Sequence, residues 1–442
     1  MASTYLERTV TTPDTNGNKI ATFSAWLKRA NLTEQVFYTS RSSDSNYFRF
    51  RFTSGQINVI SKTSGTNYFA TTSAVFRDIS SWYHVIVTFD TTQATEANRI
   101  RIYVNGVEQT KGASSYPSQD STLYMLASGQ PQRIGKESSD GFYDGLMTQV
   151  IYTEGYAYAP SDFGSTNTVS GEWIPNANPT VSYGSNGFKL TFEDTAALGD
   201  DTSGNTNDFT VSGSGTPTLD NPSNNFPFYN TLVRQSSNNN LNIMQGNLYS
   251  AGNGANNWRS AFMTIAAKTG KYYCEMKCIG TDGSSQNYGV SDVDQFNTRP
   301  NDSFDFASQS RGYGLNPNGN KVNNGGAVSV GTTYTTNDIV GMALDLDNGK
   351  IYYSKNGTWY LSGDPTSGST GTGSFFDITT GYIYSPTVAI YGAADNMAFN
   401  FGNGYFRTTA VTSAGTPGST PGTFEYDVPT GYQPWSTKGI NV

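Results

Sequence analysis

Two distant stretches of this 442-residue chain share one pattern. Trp82-Tyr83-His84-Val85-Ile86-Val87-Thr88-Phe89-Asp90 is followed by Arg99-Ile100-Arg101-Ile102-Tyr103-Val104-Asn105-Gly106. Asp338-Ile339-Val340-Gly341-Met342-Ala343-Leu344-Asp345-Leu346-Asp347 is followed by Gly349-Lys350-Ile351-Tyr352-Tyr353-Ser354-Lys355-Asn356-Gly357. Each is an apolar strand ending in Asp, then a second strand ending in Asn-Gly. Side chains alternate across a strand, so one face of each pair is expected to be buried and the other less so. Asn-Gly supplies the positive φ of a tight hairpin turn. The reading is all-β, with two β-sandwich (jelly-roll) units in series that need not be copies of one another.

Length and composition agree. The chain is long enough for two domains, each with a real core. Charged residues make up 14%, against roughly 25% in ordinary soluble proteins. The 47 Gly, 29 Tyr and 25 Phe suit strands and turns and disfavour helices. No apolar helical period is sustained, and the best helical candidate is a single turn at Ala159–Phe163 opened by Pro160.

The net charge is −8 and the 27 Lys and Arg are scattered, which argues against a nucleic-acid groove. No apolar run of about 18 residues exists to insert in a membrane. The opening Met1-Ala2-Ser3-Thr4-Tyr5-Leu6-Glu7-Arg8 lacks a signal peptide's apolar core, so cytoplasmic synthesis is expected. Cys274 and Cys278 lie four apart on an expected strand. That places their Cα atoms roughly 13 Å apart, where a disulfide needs under about 7 Å. They read as two buried thiols, with metal ligation a remote alternative. Durability outside a cell would then come from packing into a larger assembly.

Strands are expected at Thr22–Lys28, Tyr47–Thr53, Gln56–Ser61, Trp82–Asp90, Arg99–Val104, Gln132–Gly135, Gly145–Tyr152 and Gly187–Glu193, making residues 1–192 the first sandwich. Residues 193–240 read as an ordered connector with apolar anchors at Phe209, Phe226, Phe228 and Leu232 and a polar run at Ser236–Asn240. Residues 241–404 form the second sandwich, with strands at Lys271–Ile279, Tyr288–Ser291, Tyr384–Tyr391 and Met397–Phe401. In 405–442, Ala414–Thr423 reads as a linker. The tail after it, with Tyr426, Tyr432 and Trp435, is expected to dock onto something.

The first unit resembles the laminin-G/pentraxin group of concanavalin A-like folds. The residues that carry this are Trp82-Tyr83-His84-Val85, Arg101-Ile102-Tyr103-Val104-Asn105-Gly106, Arg133-Ile134-Gly135 and Tyr143-Asp144-Gly145. The second unit resembles a SPRY domain through Gly270-Lys271-Tyr272-Tyr273-Cys274-Glu275-Met276, Asp338-Ile339-Val340-Gly341, Leu344-Asp345-Leu346-Asp347, Lys355-Asn356-Gly357 and Phe399-Asn400-Phe401-Gly402. The Leu-Asp-Tyr-Glu form common in animal SPRY proteins is altered, which argues against the ubiquitin-ligase branch. Ser24-Ala25-Trp26-Leu27-Lys28-Arg29, Pro160-Ser161-Asp162-Phe163-Gly164, Ser203-Gly204-Asn205, Asn221-Pro222-Ser223-Asn224-Asn225-Phe226 and Phe424-Glu425-Tyr426-Asp427-Val428-Pro429 resemble structural proteins of marine tailed bacteriophages. The pairing implies a virion protein.

Catalysis has little to work with. The sole histidine, His84, is read as a strand residue on the less buried face. One histidine excludes multi-His zinc sites and leaves one candidate base for a Ser-His pair. The resemblance admits glucanases, but Glu193-Asp194 and Asp200-Asp201 are adjacent pairs that point to opposite faces when extended. Calcium is the one cofactor considered. The oxygen-rich loop holding Asp200, Asp201 and Asp208 is its first candidate site, and the loop with Glu137, Asp140 and Asp144 is a weaker one. Solvated turns are the alternative at both places. Asp345-Leu346-Asp347-Asn348-Gly349 lacks the spaced ligands of an EF-hand.

Sugars are bound by aromatic faces and short polar groups. The resemblance implies recognition by loops at one end of the SPRY sandwich, here Phe304–Tyr313 and Trp359-Tyr360-Leu361-Ser362-Gly363-Asp364. The ligand-binding candidates are thus Trp359, Tyr360, Asp364 and Tyr313, with capping of the local core as the alternative for Trp359 and Tyr360. The expected function is a virion surface appendage that binds a host glycan or receptor. The alternative is a decoration or connector protein that binds only other virion proteins, and a glycan hydrolase is a distant third. Without heptads or collagen-like repeats the chain is not expected to be a complete long fibre. It is expected to attach through folded surfaces or its tail, as a homo-oligomer or in many copies.

Overall fold

The computed structural model describes residues 4–441 except 139–140, 214, 233–240, 245, 253, 255–256, 296–303, 413–414 and 416–420. The polar run Ser236–Asn240 and most of the expected linker Ala414–Thr423 therefore lie outside the described residues. Two compact units emerge, 1–217 with 221–223, and 218–220 with 224–442.

The first unit packs an eight-stranded sheet on a six-stranded one. The larger sheet runs, in order, Lys111–Ser115, Thr66–Thr72, Gln56–Thr63, Asn46–Thr53, Gln35–Ser43, Pro131–Ile134, Tyr5–Thr9 and Thr210–Ser212. The smaller runs Phe188–Leu190, Gly145–Glu154, Ile20–Arg29, Tyr83–Asp90, Ile100–Val104 and Val107–Glu108. Alternation aims Phe48, Phe50 and Phe52 inward against Phe23, Ala25, Leu27, Val85, Val87 and Phe89. Tyr47, Arg49 and Arg51 point out of the same strand and stay partly exposed.

The second unit packs a nine-stranded sheet on a six-stranded one. At the centre of the larger sheet, Lys271–Gly280 pairs with Ile339–Asp345 and Asn396–Asn400. In the smaller, Tyr384–Ile390 pairs with Arg259–Phe262 and Gln286–Asp292, and the sheet continues through Gly312–Leu315 and Asn320–Asn323 to Gly326–Ser329. Cys274, Met276, Cys278, Met342, Leu344, Tyr288, Val388 and Phe399 share the core between them.

The repeated sequence pattern has a shared physical cause. Asn105 and Gly106 take φ of 49° and 80°, and Asn356 and Gly357 take 48° and 81°, the left-handed pair of a type I′ hairpin turn. Each Asn also stitches the hairpin to the start of the preceding strand. Asn105 Oδ1 accepts from the His84 backbone N–H at 2.8 Å, and Asn356 Oδ1 accepts from that of Ile339 at 2.9 Å. The single turn at Pro160–Asp162 is present as a 3-10 turn, and the one α-helix among the described residues is Thr437–Ile440.

Two expectations are corrected. Three strands of the repeated pattern, Tyr83–Asp90, Ile339–Asp345 and Lys350–Lys355, are buried on both faces because a distant segment of chain covers the outer one, whereas Ile100–Val104 alternates as expected, with Arg101 and Tyr103 half-buried. Over the six-stranded sheet of the first unit, Phe163, Tyr158 and Tyr183 pack on Ile86 and Ile151. Over the nine-stranded sheet of the second, Phe424, Val428 and Tyr432 pack on Tyr273, Ala343 and Tyr352. The segment boundaries also differ. Phe209 enters the first core, and Thr210–Ser212 is an edge strand paired with Tyr5–Thr9. Phe226 and Tyr229 enter the second core, whereas Leu232 is exposed. The stretch 193–240 is thus shared between the sandwiches, and the tail belongs to the second.

A buried carboxylate clasps that tail. Glu275 is fully buried, and its oxygens accept from the backbone N–H groups of Glu425 and Tyr426, each at 2.9 Å, and from Asn400 Nδ2 and the Tyr273 hydroxyl, each at 3.2 Å. Gln433–Pro434 then runs parallel beside Tyr272 and Tyr273, and Trp435 reaches the Tyr272 ring at 4.8 Å.

Candidate functional site

One end of the second sandwich gathers polar side chains from three loops. Gln286–Asp292 runs into a 3-10 turn at Val293–Gln295. A second turn, Phe306–Ser308, is capped by Asp305, whose carboxylate accepts from the Ala307 backbone N–H and from Asn287. Asn324 and Gly325, with φ of 51° and 73°, form the third loop. Together they line an open recess with Asp294, Gln295, Ser308, Gln309, Ser310, Arg311 and Asn324.

Arg311 is positioned from three sides. Its Nε donates to the buried Asp292 carboxylate at 2.6 Å, its backbone N–H donates to Gln295 Oε1 at 2.9 Å, and its guanidinium lies 4.2 Å from the centre of the Tyr382 ring. The bond to Asp292 raises the guanidinium pKa above its ordinary value, so the charge is permanent. Among the described residues no acceptor takes a bond from its two terminal nitrogens. Tyr382 and Ile383 beside it are 38% and 46% exposed. The recess therefore offers free donors, a carboxylate and carboxamides next to an aromatic ring, a set that suits a polyhydroxylated ligand.

The structure scatters the four ligand-binding candidates. Tyr313 is only 4% exposed, with its hydroxyl 3.4 Å from Thr379 Oγ1, so it is a core residue rather than a loop contact. Its strand, Gly312–Leu315, is buried throughout. Trp359 packs edge-on to Tyr273, and Tyr360 donates to the Thr333 carbonyl at 3.2 Å. Asp364 is exposed and accepts from the backbone and hydroxyl of Thr366, which hold its carboxyl below the usual range. None of them lines the recess. The loop Phe304–Tyr313 does contribute Ser308 to Arg311, whereas Asp294, Asn324 and Tyr382 come from separate loops with no local signal to mark them.

The calcium candidates spend their oxygens on protein donors. Asp201 accepts from the backbone N–H groups of Lys189, Ser203 and Asn207 and from the Ser203 hydroxyl. Asp208 accepts from the Asp201 backbone, and Asp200 stands exposed. Carboxylates ringed by N–H donors close a turn; they do not converge on a cation. Glu137 is paired with Arg41 and Arg49, Asp144 accepts from Asn31, and Asp140 lies outside the described residues. No group of three acidic, His or Cys side chains is placed to hold a metal among the described residues. The thiols of Cys274 and Cys278 are buried, and burial pushes them up to about 12 and about 11, so they stay protonated.

His84 lies on the expected outer face but is only 1% exposed. Its ring stacks on Trp26 at 4.6 Å, and Trp173 closes over it. The Trp173 indole N–H donates to Nδ1 at 2.8 Å. An indole can only donate, so Nδ1 is the acceptor and Nε2 carries the proton. Nε2 then donates to Ser24 Oγ, 2.8 Å away. The serine accepts a hydrogen bond here and finds no basic nitrogen to take its own proton, the reverse of nucleophile activation. Burial lowers the imidazole pKa to about 3. Trp173→Ala is expected to move the His84 titration, followed by NMR of the ring protons, from about 3 back toward its ordinary 6.5. An unchanged titration would refute the role given to Trp173.

Residues 4–153 match the Laminin_G_3 family model, described as the concanavalin A-like lectin/glucanases superfamily. Among solved structures, the SPRY domain of human HERC1 is similar at 16% identity, covering 39% of this chain and 96% of that one with a TM-score of 0.30. The native heptameric SAP-like pentraxin of Limulus polyphemus is similar at 13% identity, covering 40% and 86% with a TM-score of 0.29. Stonustoxin is similar at 13% identity, covering 39% of this chain and 27% of that one, also at 0.29. No helix among the described residues is long and apolar enough to cross a membrane. The chain is an all-β protein of two β-sandwiches, and residues 4–153 of the first are similar to the concanavalin A-like lectin/glucanases superfamily.

Proposed function

We propose that this chain is a surface protein of a tailed-bacteriophage virion that acts by binding rather than catalysis, and that the loop end of its SPRY-like second sandwich grips a host surface glycan. The observation that carries the reading is Arg311. A permanent guanidinium with unspent donors stands beside an exposed tyrosine ring in a polar recess. The phage-like motifs of both sandwiches support the virion setting. Lectin-type binding relies on pre-formed, rigid polar groups, and the Asp292 bond holds Arg311 in place before any ligand arrives.

The test is direct. Purified protein, fluorescently labelled, is expected to stain bacterial host cells and to block phage adsorption. Arg311→Ala is expected to weaken staining at least tenfold; because it leaves the buried Asp292 carboxylate without its cation and costs stability, staining is compared at a temperature where circular dichroism shows the variant folded. Staining that survives both Arg311→Ala and Tyr382→Ala would overturn the site. Failure of the wild-type protein to stain, with tight binding to another virion protein, would favour a decoration or connector role. That second reading draws on the outer face of the eight-stranded sheet, where Arg41, Arg49 and Lys62 surround the Tyr47 ring at 5.4, 5.0 and 5.8 Å.

A further inference from the structure

We propose that Gly326–Ser329, the free edge of the six-stranded sheet in the second sandwich, pairs with the same strand of a second copy of this chain, antiparallel across a two-fold axis through Val328. The strand is the outer arm of a hairpin closed by Asn324-Gly325. All four of its residues are exposed, Val328 to 56%.

The hairpin register decides which backbone groups are spent. In a two-residue I′ hairpin the closing pair, here Asn323 and Gly326, exchanges hydrogen bonds, and every second pair beyond it does the same. Lys321 with Val328 is the next such pair, and the Val330 N–H to Gly319 carbonyl bond at 2.9 Å confirms the phase. Ala327 and Ser329 therefore turn their N–H and C=O groups away from the hairpin. No described residue bonds them.

Natural sheets guard such edges with charge, proline, bulges or brevity. Other exposed edges of this chain are guarded. Lys111–Ser115 carries Lys111 and a register shift, Val107–Glu108 has two residues and an acid, and Thr210–Ser212 is three residues long. Gly326–Ser329 has none of these devices beyond modest length. Residues 322–337 contain no charged side chain. In a chain of net charge −8, that is where two like-charged copies can approach without facing acid against acid. The same point favours a second copy over a charged partner segment.

Two-fold pairing puts Ala327 of one copy opposite Ser329 of the other, and their outward groups make two reciprocal pairs of hydrogen bonds. Val328 then meets its own symmetry mate at a non-hydrogen-bonded position, where Cα atoms stand about 4.5 Å apart, within reach of a disulfide. The geometry gives a test that does not require strong association.

Val328→Cys in the full chain, oxidised with copper–phenanthroline at micromolar concentration, is expected to form a covalent dimer at least tenfold faster than Val169→Cys. Val169 is the control because it is 95% exposed and lies in the other sandwich. The native thiols do not interfere, since both are buried. Adding Ala327→Pro is expected to abolish the fast cross-link, because it removes an outward donor without touching the hairpin's own bonds. Equal rates for the two cysteines, or cross-linking that survives Ala327→Pro in a protein that melts normally, would overturn the proposal.

Discussion

Glu275→Ala is expected to lower the stability of the second sandwich by about 3 kcal/mol or more, and to release residues 424–435 from its outer sheet. The carboxylate accepts four hydrogen bonds in a fully buried position. Removing an acceptor strands its donors, at about 1–3 kcal/mol for a buried group. The loss divides between global unfolding, read by denaturant titration, and local opening, read by amide hydrogen exchange at Glu425 and Tyr426. Normal protection of those two amides in the variant would refute the clasp.

The same carboxyl predicts a pH dependence with a definite sign. Burial raises its pKa from an ordinary 4.5 to about 7, despite the hydrogen bonds that pull it down. The protonated form stays satisfied because the Tyr273 hydroxyl can accept as well as donate. The folded protein thus binds this proton more tightly than the unfolded chain. Its contribution is fully present below about pH 4.5 and fades as the pH rises to about 7. Glu275→Gln removes the proton and is expected to flatten that part of the stability profile. An unchanged slope would show that other buried acids, such as Asp305 and Asp395, carry it.

Phe50→Ala is the counterpart in the first sandwich. Its ring lies 4.7 Å from Phe48, and 5.2 Å from both Phe23 and Tyr38. Emptying so central a position costs about 3–5 kcal/mol in cavity and lost contact. The expected readout is faster hydrogen exchange across Asn46–Thr53 and a matching drop in the unfolding midpoint. A loss below about 1 kcal/mol would mean that the cluster collapses into the gap.

What could be read from sequence was local. The two Asn-Gly hairpins, the alternating strands around Phe48 and the 3-10 turn at Pro160 each follow from a few neighbouring residues. What could not be read depends on segments far along the chain. The cover over His84 comes from Trp173, and the cover over Tyr273 from Phe424 and Tyr432. Alternation assigns residues to faces but does not say whether a later segment returns to bury the outer one. The recess failed in part for the same reason. Arg311 lies in a loop that stood out, but Asp294, Asn324 and Tyr382 meet it only in space. The acidic loop at Asp201 misled because composition counts oxygens without showing which backbone groups have already claimed them.

The clasp on Glu275 also sets an order of events during synthesis. Its partners at 425 and 426 leave the ribosome long after the strand that carries it. Until they emerge, Tyr273 and Tyr352 face water, and the acid two residues along from Tyr273 lacks the two backbone N–H groups it accepts from. A nascent chain halted before residue 424 therefore holds a sandwich with one wet apolar side, the kind of surface that chaperones recognise and that sticks to its neighbours.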